Sequence, residues 1–228
     1  MNEVFDTHAE DYSEEIDKSL NRYGANHDFF MQHKAWLIED ILRRFQFSIS
    51  QMDLLDVGCG VGKLHAYIKG KFASVSGVDI SSRSIEVARK VHSELNYHTY
   101  DGDRLPYEDG SMDMTLAAGV FHHVPVDQQS KLASEMLRVL KPGGISLVIE
   151  HNPYNPVTRR VVNNCPIDEG VILLTPAELR SLFENANGKE VHSRSILTIP
   201  PKTKLLKKID GLLGYLPIGA QFYTVARK

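Results

Sequence analysis

The run Leu54-Leu55-Asp56-Val57-Gly58-Cys59-Gly60-Val61-Gly62-Lys63 limits the fold of this chain more than any other segment. An apolar strand enters a glycine-rich turn, with a carboxylate just before the first glycine. Gly58, Gly60 and Gly62 permit a sharp reversal, leave main-chain N–H groups bare, and lead into a helix whose positive end faces the same hollow. A small anionic group belonging to a nucleotide-like ligand suits such a turn. The spacing is G-x-G-x-G, and the dinucleotide fingerprint G-x-G-x-x-G requires a third glycine where Lys63 stands, which argues against nicotinamide cofactors.

Downstream the chain alternates. Ser74 to Asp79 reads as a strand; Ser81 and Ser82 cap a helix with Ile85, Ala88, Val91 and Leu95 at helical spacing; Tyr97 to Tyr100 reads as the next strand. The pattern repeats with a strand from Met112 to Ala118 and a helix from about Asp127 with Leu132, Met136, Leu137 and Leu140 inward. Lys141-Pro142-Gly143-Gly144 serves as that helix's stop before a strand from Ile145 to Ile149. Such alternation implies a parallel sheet with helices on both faces. Thr175-Pro176-Ala177-Glu178 starts another helix with a capping box, and two final strands are expected at Val191 to Ile199 and Gln221 to Arg227. Three stretches fall outside the alternation, residues 1 to about 50, about 151 to 174 and about 200 to 218, and specificity is expected there. The first contains a helix from His27 to Phe45 with an apolar stripe of Phe30, Leu37, Ile38, Ile41, Leu42 and Phe45.

Composition narrows the partners. With 228 residues the chain fits one domain, and a formal charge of -3 supplies no broad basic field for nucleic acid. Cys59 and Cys165 form neither a disulfide framework nor a four-ligand metal cluster, so no metal is assigned and a cytoplasmic, reducing setting is expected. The segment from Met1 to Asp6 has no signal character, and no run approaches membrane-spanning length. Residues 200–213 mix lysines with leucines in a short amphipathic segment, which suits a helix packed on its own domain better than a membrane contact.

Asp79 ends the second strand about twenty residues beyond the first glycine, where a carboxylate accepts hydrogen bonds from both ribose hydroxyls; the plainer reading is an aspartate capping the Ser81 helix. At this point the chain resembles a known family, the class I S-adenosylmethionine-dependent methyltransferases, in the small-molecule branch related to ubiquinone and menaquinone biosynthesis. The resemblance runs from Leu54 to Glu150 through the glycine turn, Gly77-Val78-Asp79-Ile80-Ser81, Asp101-Gly102-Asp103-Arg104-Leu105-Pro106-Tyr107, Ser111-Met112-Asp113, Phe121-His122-His123-Val124 and Arg138-Val139-Leu140-Lys141-Pro142-Gly143-Gly144. Phe5, Ala9 and Tyr12 match a looser pattern ahead of the core. Met112, where the family usually has phenylalanine, departs from it.

The resemblance implies a Rossmann-like α/β fold: a doubly wound, mostly parallel seven-stranded sheet with an antiparallel last strand and helices on both faces. Residues 1–50 would form a helical lid, 51–150 the cofactor-binding core and 151–228 the substrate-side insertions and last strands. The cofactor would be S-adenosylmethionine, leaving as S-adenosylhomocysteine. Asp56 and the turn from Gly58 through Cys59 and Gly60 to Gly62 would hold its methionine end, Asp79 and Ile80 the ribose, and Asp101 and Gly102 the adenine, with Asp103 as an alternative to Asp101. Ala118 and Gly119 would pass beneath the sulfonium, with Phe121 as a wall.

The acceptor would be a small molecule methylated on O, N or C, an apolar or lipid-linked one included. A histidine titrates near working pH, so His122, His123 and His151 are candidates to take a proton from it; the plainer reading for each of the first two is packing or loop ordering. Tyr12, Tyr23, Asn152 and Tyr154 are candidate acceptor-site residues, although Asn152 and Tyr154 also suit a rigid connector. The rival reading is a catalytically inactive protein that keeps the cofactor pocket.

Overall fold

The computed structural model describes residues 26–228; Phe5, Ala9, Tyr12 and Tyr23 lie outside them. Among the described residues a seven-stranded sheet carries the fold: β1 (Asp53–Val57), β2 (Ser74–Asp79), β3 (Asn96–Thr99), β4 (Met112–Ala118), β5 (Leu140–His151), β6 (Lys189–Ile196) and β7 (Gln221–Arg227), in the order β3-β2-β1-β4-β5-β7-β6. The first five strands pair in parallel, and β7 runs antiparallel between β5 and β6. The helices are α1 (His27–Arg44), α2 (His65–Ile68), α3 (Ser82–Val91), α4 (Val126–Arg138), α5 (Pro156–Val162), α6 (Pro176–Asn185) and α7 (Lys204–Leu213).

Alternation along the central strands sends neighbouring side chains to opposite faces. Leu54, Leu116 and Leu147 join α1 in one core, with Ile38 and Leu42. Leu55, Ala117 and Val148 join α4 and α6 in the other, with Met136 and Phe183. The doubly wound architecture follows from this two-sided burial. Helix starts are set by local chemistry: the Asn26 side chain accepts from the Phe29 N–H, Ser81 from the Ser84 N–H, and Thr175 and Glu178 form a reciprocal capping box.

Three expectations change. Lys141 to Gly144 is not a helix stop, because α4 ends at Arg138 and β5 already begins at Leu140; the Pro-Gly-Gly run sits within the strand where its register against β4 shifts. Val91 is 59% exposed, since the buried stripe of α3 continues from Ile85 and Ala88 to His92. The helix after the glycine turn is the single turn α2, too short to supply a sizeable dipole.

Helix α7 is held by Asp210, whose carboxylate accepts N–H bonds from Leu197, Thr198 and Ile199 at 2.7–3.1 Å, and by Lys207 lying over the Trp36 ring. Its Leu205 and Leu212 face outward. Among the described residues no helix is long and apolar enough to cross a membrane.

Candidate functional site

The order of strands reverses between β1 and β4, and a cavity of about 420 Å³ opens at their carboxyl ends, where ligands settle in such sheets. Its two ends differ in chemistry.

One end is acidic. Asp56, Gly58, Cys59 and Gly60 line it from the turn after β1, Asp79 and Ile80 from the tip of β2, and Asp101 and Gly102 from the loop after β3. The glycine turn is tied down rather than bare. Gly58 and Cys59 donate to the Val78 carbonyl, Gly60 donates to Asp79 Oδ2 at 2.8 Å, and Gly62 donates to the Cys59 carbonyl. The Gly58, Cys59 and Gly60 amides fasten the turn to β2 and the Gly62 amide closes the turn on itself, which corrects the expectation that they stay free for a ligand. Gly58 has φ +72°, and a Cβ there would lie 2.6 Å from Val120, so the turn and the loop after β4 pack as closely as glycine allows. Gly62 is absent from the cavity wall; a Cβ on it would meet the Tyr97 hydroxyl.

Asp79 is 8% exposed and does two jobs: Oδ1 accepts from the Ser81 N–H and Oδ2 from Gly60, while burial raises its pKa. Asp56 is held through Oδ2 by His65 Nε2 at 3.0 Å, and His65 Nδ1 meets the Tyr97 hydroxyl at 2.6 Å. Asp56 Oδ1 is buried at the cavity without a partner among the described residues, which leaves an acceptor for an ammonium group of a ligand. That orphaned oxygen, the open space beside Gly60 where a Cβ would meet nothing within 4 Å, and Asp79 fit the amino-acid and ribose parts of S-adenosylmethionine. Asp101 takes the Asp103 N–H on Oδ1, whereas Asp103 turns away from the cavity to pair with Lys131.

The other end is a histidine–carboxylate cluster. Ala118, Gly119 and Val120 lead from β4 into it, followed by a 3-10 turn at Phe121–His123. Glu150, near the end of β5, fixes this turn: Oε1 accepts from the Val120 and Phe121 N–H groups at 2.9 and 2.7 Å, and Oε2 from His122 Nδ1 at 2.6 Å. Asp168 arrives on the 3-10 turn Pro166–Asp168 and stands 3.7 Å from His122 Nε2 and 3.3 Å from His123 Nε2. The His122 ring lies tilted against His123, with ring centres 4.1 Å apart, and meets His151 edge-on at 5.2 Å.

Burial opposes charge on all of these groups. For His122 the flanking Glu150 and Asp168 overcome it and raise the pKa, and the same contacts hold both carboxylates low. His151 and His123 shift the other way, burial being the largest cause in each. Lys34 reaches the cavity from α1; burial lowers its pKa while Glu150 and Asp56 pull it upward.

The remaining sequence expectations divide. His122, His123 and His151 do come together at the cavity. Phe121 is fully buried against Phe183 instead of forming a cavity wall. Asn152 and Tyr154 do not line the cavity: Asn152 is fully buried and ties the chain, donating to Pro217 and Gly219 carbonyls and accepting from the Tyr154 N–H, and Tyr154 is 57% exposed. Their connector role follows from β5 continuing into α5. Glu150, Asp168, Lys34 and Gln221 were missed. Gln221 places a buried Oε1, without a partner among the described residues, at the cavity opposite His151 in the β5–β7 pairing. Asp168 had one available signal, its place in a specificity stretch after Cys165-Pro166.

Comparison with known proteins agrees with this geometry. The profile of a methyltransferase domain family matches residues 55–148. The methyltransferase GfsG of Streptomyces halstedii is 37% identical over 159 residues, covering 65% of this chain and 54% of its own length. A demethylmenaquinone methyltransferase of Chlorobaculum parvum is 35% identical over 111 residues, covering 47% of this chain and 45% of its own. The chain spans about half the length of these curated relatives. In structure, a SAM-dependent methyltransferase from Thermotoga maritima superimposes with a TM-score of 0.66 at 20% identity, over 100% of both chains, a likeness of fold.

Proposed function

Given that the chain carries a class I S-adenosylmethionine-dependent methyltransferase domain, we propose that it moves a methyl group onto O, N or C of a small acceptor that enters at the histidine end of the cavity. The observation that supports this best is the cavity's polarity: orphaned Asp56 Oδ1 and Asp79 at one end, the His122–Glu150–Asp168 cluster at the other, and Ala118 to Val120 between them.

S-adenosylmethionine, when bound, supplies a methyl on a positively charged sulfur: the acceptor's lone pair forms the bond to carbon, the C–S pair stays on sulfur, and S-adenosylhomocysteine leaves. The residues of the chain supply placement. Asp56 and Asp79 would take the ammonium and ribose hydroxyls, Asp101 and Gly102 the base edge. Gly119, at φ +80° and with the His122 ring 3.8 Å from where its Cβ would lie, keeps the chain low where donor and acceptor meet. Glu150 holds the turn that carries His122 and His123. His151 faces the same space and would take the proton of an acceptor that carries one. Gln221 Oε1 and the apolar Val161 and Ile167 would select the acceptor.

The test uses the full chain with methyl-labelled S-adenosylmethionine and a metabolite extract, followed by mass spectrometry of labelled products. A labelled small molecule that disappears with the Asp79→Ala variant supports the reading. Tight binding of S-adenosylhomocysteine with no label transferred to any extract fraction favours the inactive, cofactor-keeping alternative.

A further inference from the structure

The His122–His123–Asp168 group brings three potential metal ligands together at the cavity. One ligand atom from each residue lies within 4.8 Å of the others, and among the described residues this group gathers three such ligands around a point. Asp168 Oδ1 stands 3.3 Å from His123 Nε2 and 3.7 Å from His122 Nε2. Imidazole and carboxylate ligands about 2.0–2.2 Å from a tetrahedral zinc ion are separated by about 3.3–3.6 Å, so the two distances to Asp168 match a first-row divalent ion, and the two imidazole nitrogens, within 4.8 Å of each other, need at most a small closure. The supporting shell is also built. Glu150, itself pinned by two backbone N–H groups, takes the Nδ1–H of His122 and thereby turns Nε2 toward Asp168, the carboxylate–histidine–metal arrangement that orients a ligating imidazole.

We propose that His122 Nε2, His123 Nε2 and Asp168 hold a divalent transition-metal ion at the acceptor end of the cavity. Two imidazoles and one carboxylate prefer zinc, iron(II), cobalt(II) or manganese(II) to calcium or magnesium, which favour all-oxygen shells. Three protein ligands leave coordination positions open toward the cavity, where an acceptor oxygen would bind the ion and lose its proton more readily. That last step rests on the methyl-transfer reading; the ion site rests on the side chains alone.

The experiment titrates chelator-treated full-length protein with cobalt(II), reading its visible d–d absorption, and with zinc(II) by calorimetry. One equivalent should bind with bands of a nitrogen–oxygen site. His123→Gln and Asp168→Asn should each weaken binding at least tenfold, and Glu150→Gln by about 10–100-fold through loss of orientation. Circular dichroism and S-adenosylhomocysteine affinity identify folded variants; should Asp168→Asn fail to fold, His123→Gln carries the comparison. Absence of stoichiometric binding, or equal binding by wild type and a folded His123→Gln variant, overturns the proposal. S-adenosylhomocysteine affinity in the metal-free protein separates that failure from failure of the methyl-transfer reading.

Discussion

Glu150 and His122 meet at 2.6 Å while each is 1% exposed in its side chain, and the other oxygen of Glu150 caps the two N–H groups that open the turn carrying His122. One carboxylate therefore joins the ends of β4 and β5 and sets the imidazole's direction. Removing one partner of such a pair strands the other, so Glu150→Ala should cost about 3–5 kcal/mol in urea unfolding. An unfolding midpoint equal to wild type would show the pair to be solvated in the working protein.

Asp79 ties the glycine turn to the start of α3 and lines the cavity. Asp79→Ala should weaken S-adenosylhomocysteine binding by about 1.5–3 kcal/mol, the worth of hydrogen bonds to a charged group, and it should also loosen the glycine turn by unpairing Gly60. Calorimetric titration reads the first effect and thermal melting the second. Unchanged affinity removes the ribose assignment.

Acid sensitivity should trace partly to His33. This imidazole is buried on α1 beside Trp36, both ring nitrogens lack hydrogen-bond partners among the described residues, and burial, with Lys207 and Lys34 adding, lowers its pKa from 6.5 to about 4. Between those values the unfolded chain binds a proton that the folded chain refuses, so the contribution is full above pH 6.5 and is lost as pH falls toward 4. The gap corresponds to about 3 kcal/mol. His33→Leu should flatten the stability profile by about 2 kcal/mol between pH 7 and pH 4.5 in chemical denaturation. Parallel profiles for the two proteins would refute this.

Asn152 should matter to folding more than to acceptor choice. Asn152→Ala removes donors to the Pro217 and Gly219 carbonyls and should lower stability by about 1–3 kcal/mol, whereas Tyr154→Ala, at an exposed position off the cavity, should leave KM for the acceptor as in wild type. A large KM change for Tyr154→Ala would place it at the acceptor site after all.

The acidic end was legible because its residues are close in sequence to the strand ends that carry them. Asp56 and Asp79 sit at the ends of short buried strands and Asp101 lies two residues past β3, and period and turn chemistry suffice to place them. Caps at Ser81 and Thr175 were equally local. The histidine end was not legible, because Glu150 lies 28 residues from His122 and Asp168 reaches both histidines only after α5 has turned the chain back. Asn152 and Tyr154 had the right composition and neighbourhood, yet a buried amide needed by two distant carbonyls was not available to a ligand. Lys141 to Gly144 looked like a helix terminator for a similar reason: proline and glycine also suit an irregular strand start, and only pairing with β4 decides between them.

The reversal of strand order has a practical outcome for how this molecule could diversify. Everything proposed to hold the adenosine donor precedes residue 120, and residues 151–174 return to the framework at both ends, through the Asn152 N–H on Ala220 and the Thr175–Glu178 box. A graft confined to that interval, leaving both anchors in place, would exchange one acceptor preference for another as a cartridge is changed, with the donor half of the machine undisturbed.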